Sequence, residues 1–262
     1  MTSRHALTLA LLAALAASGC MQQDDTSSSR TTADGADATA SDTAMAADDS
    51  MAADSMAGDA TALPAARYQV TFSSRWTEKD HPLEYPGPKF AGLSVAHFSP
   101  IIGASHQAGY SLFAEGATPT PGLERLSEEG KHDPLGEEIA AAMAAGQVLA
   151  KLENDAPLKD HMQSLQAEVG VDGAHPQVSL VAMIAPSPDW FAGVRDVSLV
   201  ENGQWVAEKT VTVFAWDAGT DVGTTYKAPD ANSREKIAGN DARHFQKDGQ
   251  AVPVGTFTFV RQ

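Results

Sequence analysis

Between Val178 and Ile184 every residue except Ser179 is apolar. Neighbouring side chains on a strand point to opposite faces, so a short run without alternation fits a central strand of a sheet. The rest of the chain supplies partners for it. Tyr68, Val70 and Phe72 alternate with Arg67, Gln69 and Thr71, the pattern of a half-buried strand. Phe90 to Phe98 is mixed apolar and stops at Ser99-Pro100, which predicts a second strand, and Tyr110 to Phe113 predicts a third before a turn at Pro119-Thr120-Pro121-Gly122. Val197 to Val200 and Trp205 to Trp216 flank Glu201-Asn202-Gly203, where Asn-Gly signals a hairpin, and Thr256 to Val260 closes the series.

One segment has helical spacing. Asp133 can cap it, Pro134 suits its first turn, and Leu135, Ile139, Ala142, Met143 and Leu149 share a face. Gly146 on that face costs such a helix about 1 kcal/mol relative to alanine. Strands separated by turn signals, with no strand-helix-strand alternation, predict a mainly β protein: an antiparallel β-sandwich with one helical insertion.

The ends predict export. Arg4 and His5 precede an apolar run from Ala6 to Ala17, too short to span a bilayer, followed by Ala17-Ser18-Gly19 and the single cysteine, Cys20. Residues 1–19 read as a cleaved signal peptide. The small residues before Cys20 resemble a bacterial lipobox, with Ala17 where that pattern prefers leucine, and the resemblance implies diacylglycerol modification of Cys20. The alternative is an ordinary secretory signal that ends near a cysteine. Met21 is not acidic, which by the same analogy points to the outer membrane. With Cys20 modified, no cysteine is left for a disulfide, so the fold must rest on its core.

Residues 20–63 carry nine Asp against Arg30 and contain no aromatic residue. Such a tract cannot bury enough apolar surface to offset the entropy of ordering, and reads as a disordered acidic leash spreading its ends by about 35 Å. Residues 64–262 remain for one domain. That domain keeps a net charge of −9, which argues against nucleic-acid binding.

Chemistry is sparse. The chain has no Gly-x-Ser-x-Gly, no His-Glu-x-x-His and no phosphate-cradling glycine loop. Two acidic segments stand out instead. Pro186-Ser187-Pro188-Asp189-Trp190-Phe191 sets a carboxylate where two prolines restrict the backbone, and Asp217-Ala218-Gly219-Thr220-Asp221 follows 28 positions after Asp189. A glycine loop with carboxylates can curl oxygens around a hard cation. Either carboxylate could instead cap its own loop by accepting backbone N–H groups, and Asp221 in particular could brace its turn.

Both segments resemble the signature stretches of the spondin (F-spondin amino-terminal) family. The likeness extends through Trp76, Phe98-Ser99-Pro100-Ile101-Ile102-Gly103-Ala104-Ser105-His106, Leu135-Gly136-Glu137-Glu138-Ile139 and His175-Pro176. It implies a C2-like β-sandwich, found in secreted matrix and adhesion proteins, with a calcium ion in the loops at one end. Carried over by motif, the metal ligands would be Asp189 and Asp217. The family's third ligand, a glutamate, falls on Gly170 here, with Glu168 and Asp172 two residues to either side as substitutes. The expected function is non-catalytic recognition of an extracellular or envelope protein or glycan, tethered to the membrane through Cys20. An envelope hydrolase acting on glycan or ester bonds is the second reading.

Overall fold

The apolar run is the strand β6 (Gln177–Ala185), and it lies near the middle of the larger of two joined sheets. The computed structural model describes residues 63–87, 96–158 and 164–262. The signal segment, Cys20, the acidic tract and most of the stretch from Phe90 to Phe98 lie outside them.

The strands in chain order are β1 (Ala66–Ser74), β2 (His97–Phe98), β3 (Ile102–His106), β4 (Val148–Glu153), β5 (Ser164–Val171), β6, β7 (Trp190–Ser198), β8 (Val200–Glu201), β9 (Gln204–Trp205), β10 (Glu208–Asp217), β11 (Ala238–Gly239), β12 (Gln246–Lys247), β13 (Gln250–Ala251) and β14 (Gly255–Arg261). Every named pairing is antiparallel.

The strand β10 belongs to both sheets. Its first half pairs with β14 as far as Val213↔Gly255, in the order β5-β1-β14-β10. Its second half pairs with β7 from Phe214↔Gly193 onward, in the order β10-β7-β6-β3-β4. The two sheets therefore face each other as an antiparallel β-sandwich hinged on one strand.

The space between them is filled by alternate residues of both layers. Tyr68, Val70 and Phe72 of β1 meet Phe257 and Phe259 of β14, with Leu180, Ala182 and Ile184 of β6 and Trp190 of β7 opposite. Phe72 stacks on Phe257 at 4.8 Å and meets Phe98 edge-on at 5.0 Å. The odd-numbered side of β6 is dry as well, because Val181 packs under a helical layer with Phe191, Ile102 and Ala104. Burial on both faces is why the run does not alternate.

The helical insertion is a pair. Helix α1 (Pro121–Glu129) begins where Pro119-Thr120-Pro121-Gly122 reads as a turn. Thr120 caps it by accepting the Leu123 N–H at 3.1 Å, Pro121 opens it, and Gly130 closes it in the left-handed region at φ 67°. Helix α2 (Leu135–Ala144) has no side-chain cap from Asp133 and stops before Gly146, whose φ is 71°. The helix predicted to reach Leu149 is thus shorter, and Leu149 stands half-exposed in β4. Leu123 and Leu126 of α1 and Leu135 and Ile139 of α2 cover the sheet together.

Tyr110 to Phe113 is loop, not strand. Leu112 and Phe113 are buried beneath the helices instead of pairing. The Asn-Gly hairpin forms between β8 and β9, with Asn202 at φ 52° and Gly203 at φ 71°. Among the described residues no helix is long and apolar enough to cross a membrane.

Candidate functional site

Asp189 closes the tight connection between β6 and β7. Ser187 holds that connection, donating its hydroxyl to the Ile184 carbonyl at 2.5 Å and accepting the Trp190 N–H at 3.1 Å. The strand that follows is anchored in the core by Trp190 and Phe191, both buried. Register places Trp190 opposite Asp217 at the end of β10, so the two acidic segments meet side by side.

The Asp189 carboxylate is fully buried. Its Oδ2 accepts the backbone N–H groups of Thr220 at 2.7 Å and Asp221 at 3.1 Å, bolting the loop after β10 to the turn before β7. Its Oδ1 has no donor. Asp217 is half-buried and caps its own turn, accepting the Gly219 N–H through Oδ1 at 2.8 Å. Gly219 takes φ 74°, and a Cβ there would lie 2.8 Å from the Glu235 backbone, so this turn requires glycine.

Asp221 is also buried. Its Oδ1 accepts the Gly223 N–H at 2.6 Å and its Oδ2 the Ala231 N–H at 2.7 Å, so both oxygens brace the loop.

The electrostatics follow from this packing. Burial pushes the Asp189 carboxyl up to about 6, the Asp217 charge adds to the rise, and the two backbone N–H groups oppose it. Burial also raises Asp217, with the charges of Glu235 and Asp241 adding, while the Gly219 N–H pulls it down. Glu128 on α1 is raised by burial and by nearby acids that include Asp221. Glu128, Glu235 and Asp241 come from three separate segments with no local motif, and sequence reasoning missed them.

A buried carboxylate oxygen without a donor, next to a second carboxylate, is a donor set that suits a hard divalent cation. Asp189 and Asp217 would supply the charge, and backbone carbonyls and water the remaining oxygens. Among the described residues no group of three His, Cys, Asp or Glu side chains is arranged to hold a metal.

The other two sequence candidates lie elsewhere. Glu168 pairs across β5 with Gln69, which leads through Val260 to Glu208 at the start of β10, nine positions before Asp217. Glu168 is exposed and faces Arg67 at 3.8 Å. Asp172 lies past the end of β5, where its Oδ1 accepts the His175 N–H at 2.8 Å and meets His175 Nδ1 at 2.8 Å. The structure thus brings Asp189 and Asp217 together and leaves Glu168 and Asp172 at the other end of the sheet.

One grouping superficially has the makings of a nucleophile. His106 Nε2 accepts from the Ser179 hydroxyl at 2.8 Å and lies 3.9 Å from Asp196 Oδ1. Serine and aspartate face the same ring nitrogen, while Nδ1 donates to the Gln107 carbonyl at 3.0 Å. A Ser-His-Asp relay needs the acid on the other nitrogen. His106 and Ser179 are completely buried, burial lowers the His106 pKa, and Ser179 also accepts the Asp196 N–H at 2.9 Å. The trio fastens β3, β6 and β7 together.

Comparison with known proteins agrees with this architecture. The family model described as Spondin_N matches residues 66–249. Spondin-2 of Rattus norvegicus is 32% identical over 212 residues, 77% of this chain and 63% of its own length. Spondin-2 of Homo sapiens is 31% identical over 169 residues, covering 64% of this chain and 50% of its own. Spondin-1 of Homo sapiens is 33% identical over 186 residues, covering 68% of this chain and 22% of its own. The chain therefore spans less than two thirds of the length of these curated relatives. The match runs from the first strand through the acidic loop and past it, over the sandwich that brings Asp189 to Asp217, and the chain belongs to the spondin N-terminal domain family.

Proposed function

We propose that this protein is a lipid-anchored recognition module of the cell envelope, non-catalytic, with calcium held between Asp189 and Asp217 and a protein or glycan as its partner. The observation that carries the reading is the Asp189 Oδ1 atom, buried without a donor beside a second carboxylate. A bound cation would satisfy that oxygen, offset the repulsion and fix the loops at this end of the sandwich. The family resemblance supports adhesion-type recognition. The signal segment and Cys20 support export and anchoring, with the acidic tract holding the domain clear of the lipid.

Calorimetry tests the metal. Calcium at about a hundred times its dissociation constant should add about 2.7 kcal/mol, or roughly 5–10 °C in melting temperature for a domain of this size. Asp189→Asn keeps an acceptor for Thr220 and Asp221 while removing the charge. In chelator it should melt no lower than the natural chain, and it should not respond to calcium. An unchanged melting temperature in millimolar calcium removes the metal from this reading. For the anchor, Cys20→Ser should abolish incorporation of labelled fatty acid and move the chain from the membrane to the soluble fraction. Retained label would place the modification on another residue.

A further inference from the structure

Of residues 77–83, only His81 is buried. Glu78, Lys79, Pro82 and Leu83 face solvent, and Thr77 and Asp80 are half-buried. The backbone bonds of this loop are local, the Asp80 and His81 N–H groups donating to the Thr77 carbonyl at 3.2 and 2.8 Å. One ring therefore plugs the loop into the fold, lying edge-on to Phe245 with centroids 5.9 Å apart.

His81 is 1% exposed, and neither of its ring nitrogens has a hydrogen-bond partner. A neutral imidazole carries a hydrogen on one nitrogen and a lone pair on the other, so both polar sites are dry and unused. In this state the ring packs as a phenyl group would. What it adds is the capacity to take up a proton.

Both ends of the loop are held independently. Before it, Trp76 is buried and donates its indole N–H to the Tyr226 hydroxyl at 3.3 Å. After it, Glu84 Oε2 meets His244 Nε2 at 3.1 Å. A carboxylate only accepts, so this nitrogen carries a hydrogen whether the His244 ring is neutral or charged, and mild acid does not free this end.

We propose that residues 77–83 form an acid-released flap: neutral His81 plugs it shut, and uptake of one proton drives the ring out and uncovers Phe245. The inference rests on neither the metal nor the anchor. Burial is the main influence on the ring and lowers its pKa, with the Arg75 charge adding. The backbone at Val252 and Thr77 and the Asp80 charge pull the other way without reversing it. Of the other titratable groups on the packed elements, His244 turns to Glu84 and Tyr226, while Arg243, Lys247 and Asp248 are exposed. In the open loop the ring meets water and binds a proton in the ordinary way, at about 6.5. Below that value each unit of pH multiplies the open population by up to about ten, until the closed form protonates as well.

Amide hydrogen exchange of the full chain in chelator tests it, followed by nuclear magnetic resonance and corrected for the intrinsic effect of pH on exchange. Between about pH 7.5 and 5 the His81 amide should lose protection, by up to about ten-fold per unit below 6.5. The amides of β6 should lose less. In His81→Phe the ring fills the same space and cannot charge, so protection at positions 80 and 81 should stay level. The proposal is overturned if the natural chain gives a flat profile, or if the β6 amides fall in step with the loop, which would mean that the whole domain opens. It is equally overturned if His81→Phe keeps the natural slope. Should that variant not fold, the profile of the natural chain decides alone.

Discussion

Replacing Trp190 by alanine is expected to lower the unfolding free energy by about 3–5 kcal/mol, the largest loss from any single change near the acidic loops. Trp190 is 1% exposed and lies at the centre of an aromatic cluster. It meets Tyr226 edge-on at 5.4 Å, Phe245 at 5.3 Å and His244 at 5.6 Å. An indole of this kind buries about 150–250 Å² and adds about 0.5–1.5 kcal/mol for each well-oriented aromatic pair. Truncating it leaves a cavity directly beneath Asp217, and the turn bearing Asp189 loses its anchor one residue away. Calcium affinity should therefore fall together with stability. Phe214 provides the contrast: it is 40% exposed on β10, and Phe214→Ala should cost well under 1 kcal/mol and leave calcium binding intact. Urea unfolding of the two variants side by side checks this. A Trp190→Ala midpoint as mild as that of Phe214→Ala would mean the cluster does not hold the acidic loops in place.

The sandwich was legible wherever local pattern and tertiary role agree. Residues 178–184 announced a strand buried on both faces, and Asn202-Gly203 announced a hairpin, because each depends on a few adjacent side chains. The signal failed where one local pattern serves two structures. Thr120-Pro121 starts a helix as well as it makes a turn, and only Leu123 and Leu126 packing under the sheet decides between them. Leu149 continues a helical stripe on paper, yet Val148 to Glu153 pairs with β3 because Gly146 breaks the helix in the left-handed region. The acidic site divides in the same way. Asp189 and Asp217 stood out through their motifs, and strand register brings them together. That Asp189 keeps one oxygen bare while Asp221 spends both on its own loop depends on hydrogen bonds of which only Asp221 to Gly223 is local, the others joining residues 10 to 32 positions apart.

Calcium should change how stability depends on pH. The folded Asp189 carboxyl titrates at about 6 against 3.8 in the unfolded chain, so its protonated form favours the fold. That contribution is complete below 3.8 and is lost as pH rises through about 6. Without calcium, the ionised site costs up to about 3 kcal/mol at neutral pH. Two buried histidines act in the opposite direction. Burial lowers the pKa of His81 and of His106, so their stability is present above 6.5 and is lost as pH falls through their folded values. In chelator the two effects oppose one another as the pH falls below about 6.5. Calcium requires ionised ligands and competes with protons for Asp189. The calcium-induced rise should therefore be full at about pH 7.5, fall through pH 6 and be nearly gone by pH 4.5, leaving the histidine-driven loss to steepen the acid side. In Asp189→Asn the curves with and without calcium should coincide, and the stabilisation that Asp189 gains on protonation should be missing from both, which leaves the histidine slope opposed by Asp217 and Glu128. Melting curves at half-unit steps of pH, with calcium and with chelator, decide the matter. A calcium increment that stays constant from pH 7.5 to 4.5 would mean that the ion does not bind at Asp189.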